Sequence, residues 1–230
     1  MNKKKIFIAC DTTSIKKLEK IIKQSQTNKL KISYKIGLEF FLSPSGRKFI
    51  ARLRNKEIFL DLKLNDIPNT CAATIRSLSD LKNISYLTVH TNGGLAMLKI
   101  IKKTAKKVNK KLKILGVTIL TSFSNSSIKK VGHTRSIKEL AKKQAALAKL
   151  ANLDGIVCSG YESKFLKNIC KNMEIITPGI RFQGDRKGDQ KRVMSPKQAF
   201  NNGATSIVMG RSITKGNIKN NIQKLIKSLN

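Results

Sequence analysis

Three residues in the stretch 61–70 have the types and spacing that electrostatic chemistry needs. Asp61 and Lys63 are two positions apart, so on a strand their side chains leave from the same side. Asp66 follows within one turn of loop. A carboxylate, an ammonium and a second carboxylate this close together do not belong in an apolar core. They can act as fixed charges around a reacting centre. They also fit a buried ion pair in a barrel mouth, because ion-pair networks perturb acidities as active sites do.

Similar polar residues stand in or at the ends of most of the short apolar runs. Asp11 follows the first run, and Lys35 lies in the second. His90 and Thr91 end the fourth, and Thr121 and Ser122 the fifth. Thr177-Pro178-Gly179-Ile180-Arg181 ends the seventh, and Gly210-Arg211 the eighth. The runs themselves span residues 6–10, 32–37, 57–62, 85–89, 113–119, 155–158, 174–177 and 206–209. Most are rich in Ile, Val and Leu, as strands buried on both faces should be. Between them lie amphipathic stretches. Residues 137–150 place Leu140, Ala141, Ala145, Leu147, Ala148 and Leu150 on an apolar side, with lysines opposite. Ser43-Pro44 and Ser195-Pro196 each read as an N-cap followed by Pro in the first helical turn.

Eight strand-and-helix units imply a parallel sheet. No GxGxxG follows the first strand, and the chain has only 230 residues. Both facts favour an α/β fold made of a single (β/α)8 TIM barrel over residues 1–230. In that fold the chemistry sits at the C-terminal ends of the strands, where the polar residues gather.

Composition narrows the classes further. Lys and Arg number 47 against 13 Asp and Glu, a formal net charge of +34. The basic residues are dispersed along the chain, and aromatic residues make up only 5%. That pattern lacks the stripe and the stacking platforms of a nucleic-acid binder, so no specific nucleic-acid partner is expected. The field should still speed capture of an anionic substrate. Cys10, Cys71, Cys158 and Cys170 form no CxxC pair and have no His cluster beside them, which points to buried, reduced thiols in a cytoplasmic protein. The basic start leads into an apolar run that stops at Asp11, too short for a signal peptide. No run approaches membrane-spanning length, so no membrane partner is expected.

The string Asp61-Leu62-Lys63-Leu64-Asn65-Asp66-Ile67-Pro68-Asn69-Thr70 resembles the DxKxxDIPNT signature of orotidine 5′-monophosphate decarboxylases. Thr177-Pro178-Gly179-Ile180-Arg181, followed by Gly188-Asp189-Gln190-Lys191-Arg192 and Ser195-Pro196, is similar to that family's seventh-strand and phosphate-loop segment. Val208-Met209-Gly210-Arg211-Ser212-Ile213-Thr214 is similar to its phosphate-gripping eighth strand. The likeness runs from Ile6 to Thr214. Asn92, Ser212 and Asn65 depart from the pattern, which more often has a small residue, Pro and His at these places.

The resemblance implies cofactor-free, metal-free removal of carbon dioxide from orotidine 5′-monophosphate, the last step of de novo UMP synthesis. It implies that Lys63 donates the proton to ring carbon C6 and that Asp61 sits beside the substrate carboxylate. Lys35 and Asp66 would complete an alternating Lys-Asp-Lys-Asp array. It further implies a homodimer with composite active sites, Asp66 and Thr70 reaching toward the neighbouring subunit's ribose. Asp11 would bind a ribose hydroxyl, and Thr121 and Ser122 the pyrimidine or its carboxylate. Gln190, Arg211, Gly210 and Arg181 would bind the phosphate, and residues 182–191 would form a mobile lid. His90 is read as a structural hydrogen-bonding residue with a supporting role open to it, and His133 as an exposed helix-end residue. The rival reading within this fold is an Mg²⁺-dependent 3-keto-L-gulonate 6-phosphate decarboxylase or hexulose-6-phosphate synthase. The rival from another class is a basic nucleic-acid-binding protein.

Overall fold

The computed structural model describes residues 3–185 and 192–229. Within them eight parallel strands close into a barrel in sequence order, with the last paired to the first. The first four are β1 (Lys5–Ala9), β2 (Lys31–Gly37), β3 (Ile58–Leu64) and β4 (Ile84–His90). The second four are β5 (Lys113–Val117), β6 (Gly155–Val157), β7 (Glu174–Thr177) and β8 (Ser206–Met209). The expected (β/α)8 barrel is therefore the fold. Most boundaries fall within two residues of the sequence reading. β5 stops at Val117 because Thr118 closes the ladder, giving both its N–H and its hydroxyl to the Val157 carbonyl at 3.1 and 3.2 Å. Ile119 then turns away to pack with Ile128 and Ile137 in a separate apolar cluster.

The outer layer is helical. Crossing back from the first four strands are α1 (Ile15–Gln24), α2 (Leu38–Phe41), α3 (Gly46–Arg52), α4 (Pro68–Ser77) and α5 (Gly94–Val108). The second half supplies α6 (Asn125–Lys130), α7 (Ile137–Leu150), α8 (Gly160–Leu166), α9 (Pro196–Asn201), α10 (Arg211–Thr214) and α11 (Ile218–Leu229). α5 shows why these segments are helical and where they pack. Met97, Leu98, Ile101 and Ala105 recur at helical spacing and are fully buried, while its lysines face outward. Removing one such side chain, as in Ile101→Ala, costs roughly 2–5 kcal/mol. Among the described residues, no helix is long and apolar enough to cross a membrane.

Two local expectations need correction. Ser43 is not an N-cap: its hydroxyl donates back to the Phe40 carbonyl at 2.7 Å, and Ser43-Pro44-Ser45 is a turn between α2 and α3. α3 begins at Gly46, whose missing side chain matters, since a Cβ there would lie 1.8 Å from the Phe40 oxygen. Ser195 does cap α9 as expected, in a reciprocal box with Gln198. In α7 the buried face is Ile137, Ala141, Gln144, Ala145 and Ala148, and Leu150 is 61% exposed. The alanines lie innermost because α7 lies close over Gly116, where a Cβ would stand 3.3 Å from the Ala148 methyl, while Leu140 and Leu147 pack half-buried beside them.

Inside the barrel, side chains from alternate positions stack in layers. Phe7, Phe59 and Tyr86 fill the middle, with Phe7 edge-on to the other two rings at 5.0 and 5.1 Å. Below them, at the N-terminal end, Lys5 pairs with Glu57 at 3.0 Å and donates to the Tyr86 oxygen at 2.7 Å. Tyr86 in turn donates to Glu174 at 3.2 Å. Above them the barrel opens. The four cysteines are free and buried.

Candidate active site

A cavity of about 380 Å³ occupies the C-terminal mouth of the barrel. Its floor is apolar, made by Ala9, Phe59, Val117, Val157 and Val208. Its walls carry Asp11, Lys35, Asp61, Lys63, Thr121, Ser122, Arg181, Gly210 and Arg211. Nine residues singled out from the sequence, drawn from the ends of different strands, thus line one cleft.

The charged side of the cleft centres on Asp61. Its Oδ2 lies 3.1 Å from Lys35 Nζ and 2.9 Å from Lys63 Nζ, and Lys35 Nζ is also 3.6 Å from Asp11 Oδ1. Burial pushes the Asp61 carboxyl up, but Lys35, then Lys63, then hydrogen bonds from Lys63 and Thr88 outweigh it and hold it at about 2. Burial likewise pulls Lys35 down, and Asp61 and Asp11 more than compensate, leaving it above the usual lysine range. Both groups are therefore charged at neutral pH.

Asp61 and Lys63 meet by a different route from the one a regular strand would give. Between the pairs Leu60 with Leu87 and Leu64 with Val89, β3 advances four residues while β4 advances two. The surplus forms a bulge, and Lys63 takes a left-handed backbone conformation with φ 52°. Thr88, fully buried on β4, sits against this bulge. Its hydroxyl accepts the Lys63 N–H at 2.9 Å and donates to Asp61 Oδ1 at 2.8 Å.

The opposite side of the cleft carries two guanidinium groups. Arg181 and Arg211 both line it. Burial first, and then the nearby Arg211 charge, lower the Arg181 pKa, with partial relief from Asp185 and Asp11. Gly179, at φ 76°, supplies the turn after β7. Ile180 then bridges Met194, with Arg181 N–H bonded to the Met194 carbonyl at 3.0 Å and Met194 N–H to Gly179 at 3.2 Å. This clasp joins the two ends of the 181–194 connection. Arg192 adds a second tie, pairing with buried Glu162 on α8 and donating to the Leu120 carbonyl at 3.2 Å.

Two expected site residues do not join the cleft within one chain. Asp66 and Thr70 are exposed. Asp66 Oδ1 accepts the Ile67 N–H at 2.6 Å, and Ile67 is 67% exposed beside it. Gln190 lies outside the described residues, as does most of the expected lid. His90 ends β4 with a buried Nδ1 that has no hydrogen-bond partner among the described residues; burial, then Lys63, keep its pKa below the usual value. His133 is half-buried after α6, its N–H bonded to the Ile128 carbonyl. Asn92, one of the departures, accepts a hydrogen bond from Gln144 of α7 at 2.5 Å.

Residues 4–224 match the model of the orotidine 5′-phosphate decarboxylase / HUMPS family. This chain belongs to that family. An orotidine 5′-phosphate decarboxylase from Wolbachia sp. subsp. Brugia malayi (strain TRS) is 44% identical over 229 residues, covering 97% of this chain and 98% of the relative. The namesake from Malacoplasma penetrans (strain HF-2) is 39% identical over 221 residues, covering 94% of each. Among solved structures, orotidine 5′-phosphate decarboxylase from Lactobacillus acidophilus superposes with a TM-score of 0.84 at 31% identity, over 99% of both chains. The orotidine 5′-phosphate decarboxylase / HUMPS assignment thus rests on likeness over nearly the whole chain.

Sequence reasoning passed over Thr88 and the Arg192–Glu162 pair. Thr88 had a signal: in β4 the polar-tipped residues Tyr86, Thr88 and His90 alternate with Leu87 and Val89, marking the inward face. Glu162 had only that of an acidic residue in a helix's first turn, which its capping role already explains.

Proposed function

We propose that the protein decarboxylates orotidine 5′-monophosphate to uridine 5′-monophosphate without a cofactor, as the last step of de novo UMP synthesis. The observation that carries this reading is Asp61 Oδ2 bracketed by Lys35 and Lys63 at 3.1 and 2.9 Å in the barrel mouth. In the reaction the C6–carboxylate bond breaks, carbon dioxide leaves, and the electron pair stays on C6. Lys63 stabilises that charge and then delivers its proton to C6. Asp61, held ionised, faces the substrate carboxylate. Two like charges at about 4 Å repel by roughly 4 kcal/mol at an effective dielectric near 20, and the repulsion is released as carbon dioxide departs. Lys35 keeps Asp61 in place and charged.

Arg181 and Arg211 take the 5′-phosphate with Gln190, and Gly210 lets the backbone approach it. The mutual repulsion of the two guanidiniums is relieved by a dianion between them. Asp11 binds a ribose hydroxyl, and Thr121 and Ser122 the pyrimidine end. Asp66 and Thr70 act in the site of a second copy, which makes the working enzyme a cytoplasmic homodimer of single-domain subunits. The exposed Leu38, Leu42 and Ile67 support this pairing, since all three follow the neighbouring strands β2 and β3 at the end of the barrel that holds the cleft.

The test is loss of orotidine 5′-monophosphate absorbance with purified protein in chelator, wild type against Lys63→Ala. Rapid turnover that collapses in the variant is expected. No turnover by folded wild type, with activity on a sugar phosphate appearing when Mg²⁺ is restored, would transfer the protein to the other branch of its family.

A further inference from the structure

We infer that Thr88 is a positioning residue for the reaction, a single hydroxyl that fixes both the backbone of Lys63 and the carboxylate of Asp61. The inference rests on the decarboxylase reading for its kinetics but on geometry for its substance. One hydroxyl has one proton and two lone pairs. Thr88 spends the proton on Asp61 Oδ1 at 2.8 Å and a lone pair on the Lys63 N–H at 2.9 Å. The other Asp61 oxygen is occupied by Lys35 and Lys63. The carboxylate therefore cannot rotate without losing a partner on one side or the other.

The backbone contact carries as much weight. In a regular parallel pair the Lys63 N–H would find a carbonyl on the neighbouring strand. The bulge between Leu60 and Leu64 removes that ladder, and Lys63 sits at φ 52°, a conformation that costs a side-chain-bearing residue energy. The Thr88 oxygen replaces the missing acceptor. It thereby holds the strained turn that aims Lys63 back at Asp61 rather than along the strand. Thr88 has no solvent exposure and belongs to a different strand, so β4 acts as the fixed reference against which both charged groups are set.

The experiment compares Thr88→Val, which keeps the shape and removes the hydroxyl, with Thr88→Ser, which keeps the hydroxyl and removes a methyl. Decarboxylation kinetics, thermal unfolding and hydrogen exchange of the Lys63 amide are read for each. Thr88→Val is expected to lower kcat about 10- to 100-fold with KM changed by less than about threefold, and Thr88→Ser to restore kcat to within about threefold of wild type. The Lys63 amide should be protected in wild type and Thr88→Ser and exchange rapidly in Thr88→Val. A purely structural role would instead make kcat follow thermal stability in both variants. Wild-type kcat in Thr88→Val, or a Lys63 amide that exchanges freely in wild type, would overturn the inference. The second measurement stands even where the valine variant does not fold or the wild type acts on another substrate, so the two readings fail separately.

Discussion

Lys35 and Asp61 form an ion pair at 3.1 Å in which both side chains are nearly buried, 14% and 11% exposed. Removing one partner of such a pair leaves the other charged in a poor solvent. Here Asp61 keeps Lys63 at 2.9 Å, so the loss is cushioned on one side only. Lys35→Met should destabilise the fold by about 3 kcal/mol in urea unfolding at pH 7 and abolish most turnover. Equal stability of variant and wild type would mean that Lys63 alone satisfies the carboxylate.

The same pair fixes how the protein responds to acid. The Asp61 carboxyl is held at about 2, below its ordinary value of 3.8. A depressed carboxyl contributes stability that is fully present above the unfolded value and is lost as pH falls through the folded one. That contribution is roughly 2 kcal/mol, vanishing between about pH 4 and pH 2. Urea unfolding of wild type and Asp61→Asn across this range should show a shallower loss in the variant. Parallel curves would assign acid sensitivity to other carboxylates.

Lys63, the proposed proton donor, sits on a strained backbone at φ 52°, and the two features separate by substitution. Lys63→Ala and Lys63→Gly should both lose about 10³-fold or more in kcat, because the proton donor is gone. The glycine variant should nevertheless be the more stable by about 1 kcal/mol, since only glycine adopts φ 52° without steric cost. Thermal unfolding of the two variants decides it. A more stable alanine variant would show that the bulge relaxes once the ammonium is removed.

Arg192 holds Glu162, which is 3% exposed at its side chain, and also binds the Leu120 carbonyl next to Thr121 and Ser122. Arg192→Ala should cost about 3–5 kcal/mol by stranding a buried carboxylate, and Glu162→Gln in the same chain should recover part of it. KM should rise in Arg192→Ala because the 120–122 segment loses its tie. Additive effects of the two substitutions in denaturant unfolding would show that the residues do not depend on each other.

Arg211→Ala should raise KM at least tenfold while leaving the fold intact. In wild type kcat/KM should fall as salt is added, since the basic surface draws in an anion through a screened field. Initial rates from low to physiological ionic strength test both points. Salt-independent capture would leave the +34 charge without a kinetic role.

Much of this was legible in the chain. Eight short apolar runs with polar ends gave the barrel and the edge on which to search. The types of Asp61, Lys63, Lys35 and Arg211 then named the cleft. The bulge was not legible: the sequence reading ended the third strand at residue 62, and only pairing with β4 shows that the strand runs on to Leu64 with surplus residues. For Thr88 the alternation of β4 marks only an inward face: a threonine in a strand is ordinary, and its importance comes from what lies across the ladder. The apolar side of α7 was read correctly apart from Leu150, which is exposed, and nothing in the sequence signals that the closeness of Gly116 puts alanines innermost. Asp66 and Thr70 are legible as polar residues in a distinctive string, but one chain gives them nothing to act on.

The stacked rings of Phe7, Phe59 and Tyr86, with Lys5, Glu57 and Glu174 beneath them, close the barrel from below. Among the described residues, the cleft is consequently closed at its base and open at the mouth of the barrel. Whatever enters by the mouth must be followed out by every fragment it yields, through the same opening. On the proposed reaction, a small gas set free over the apolar floor would have to slip past the larger fragment at the rim, or wait for it. Departure in that reaction is thus ordered by geometry: the rim groups proposed to hold the larger fragment would also govern when the cleft empties and can be refilled.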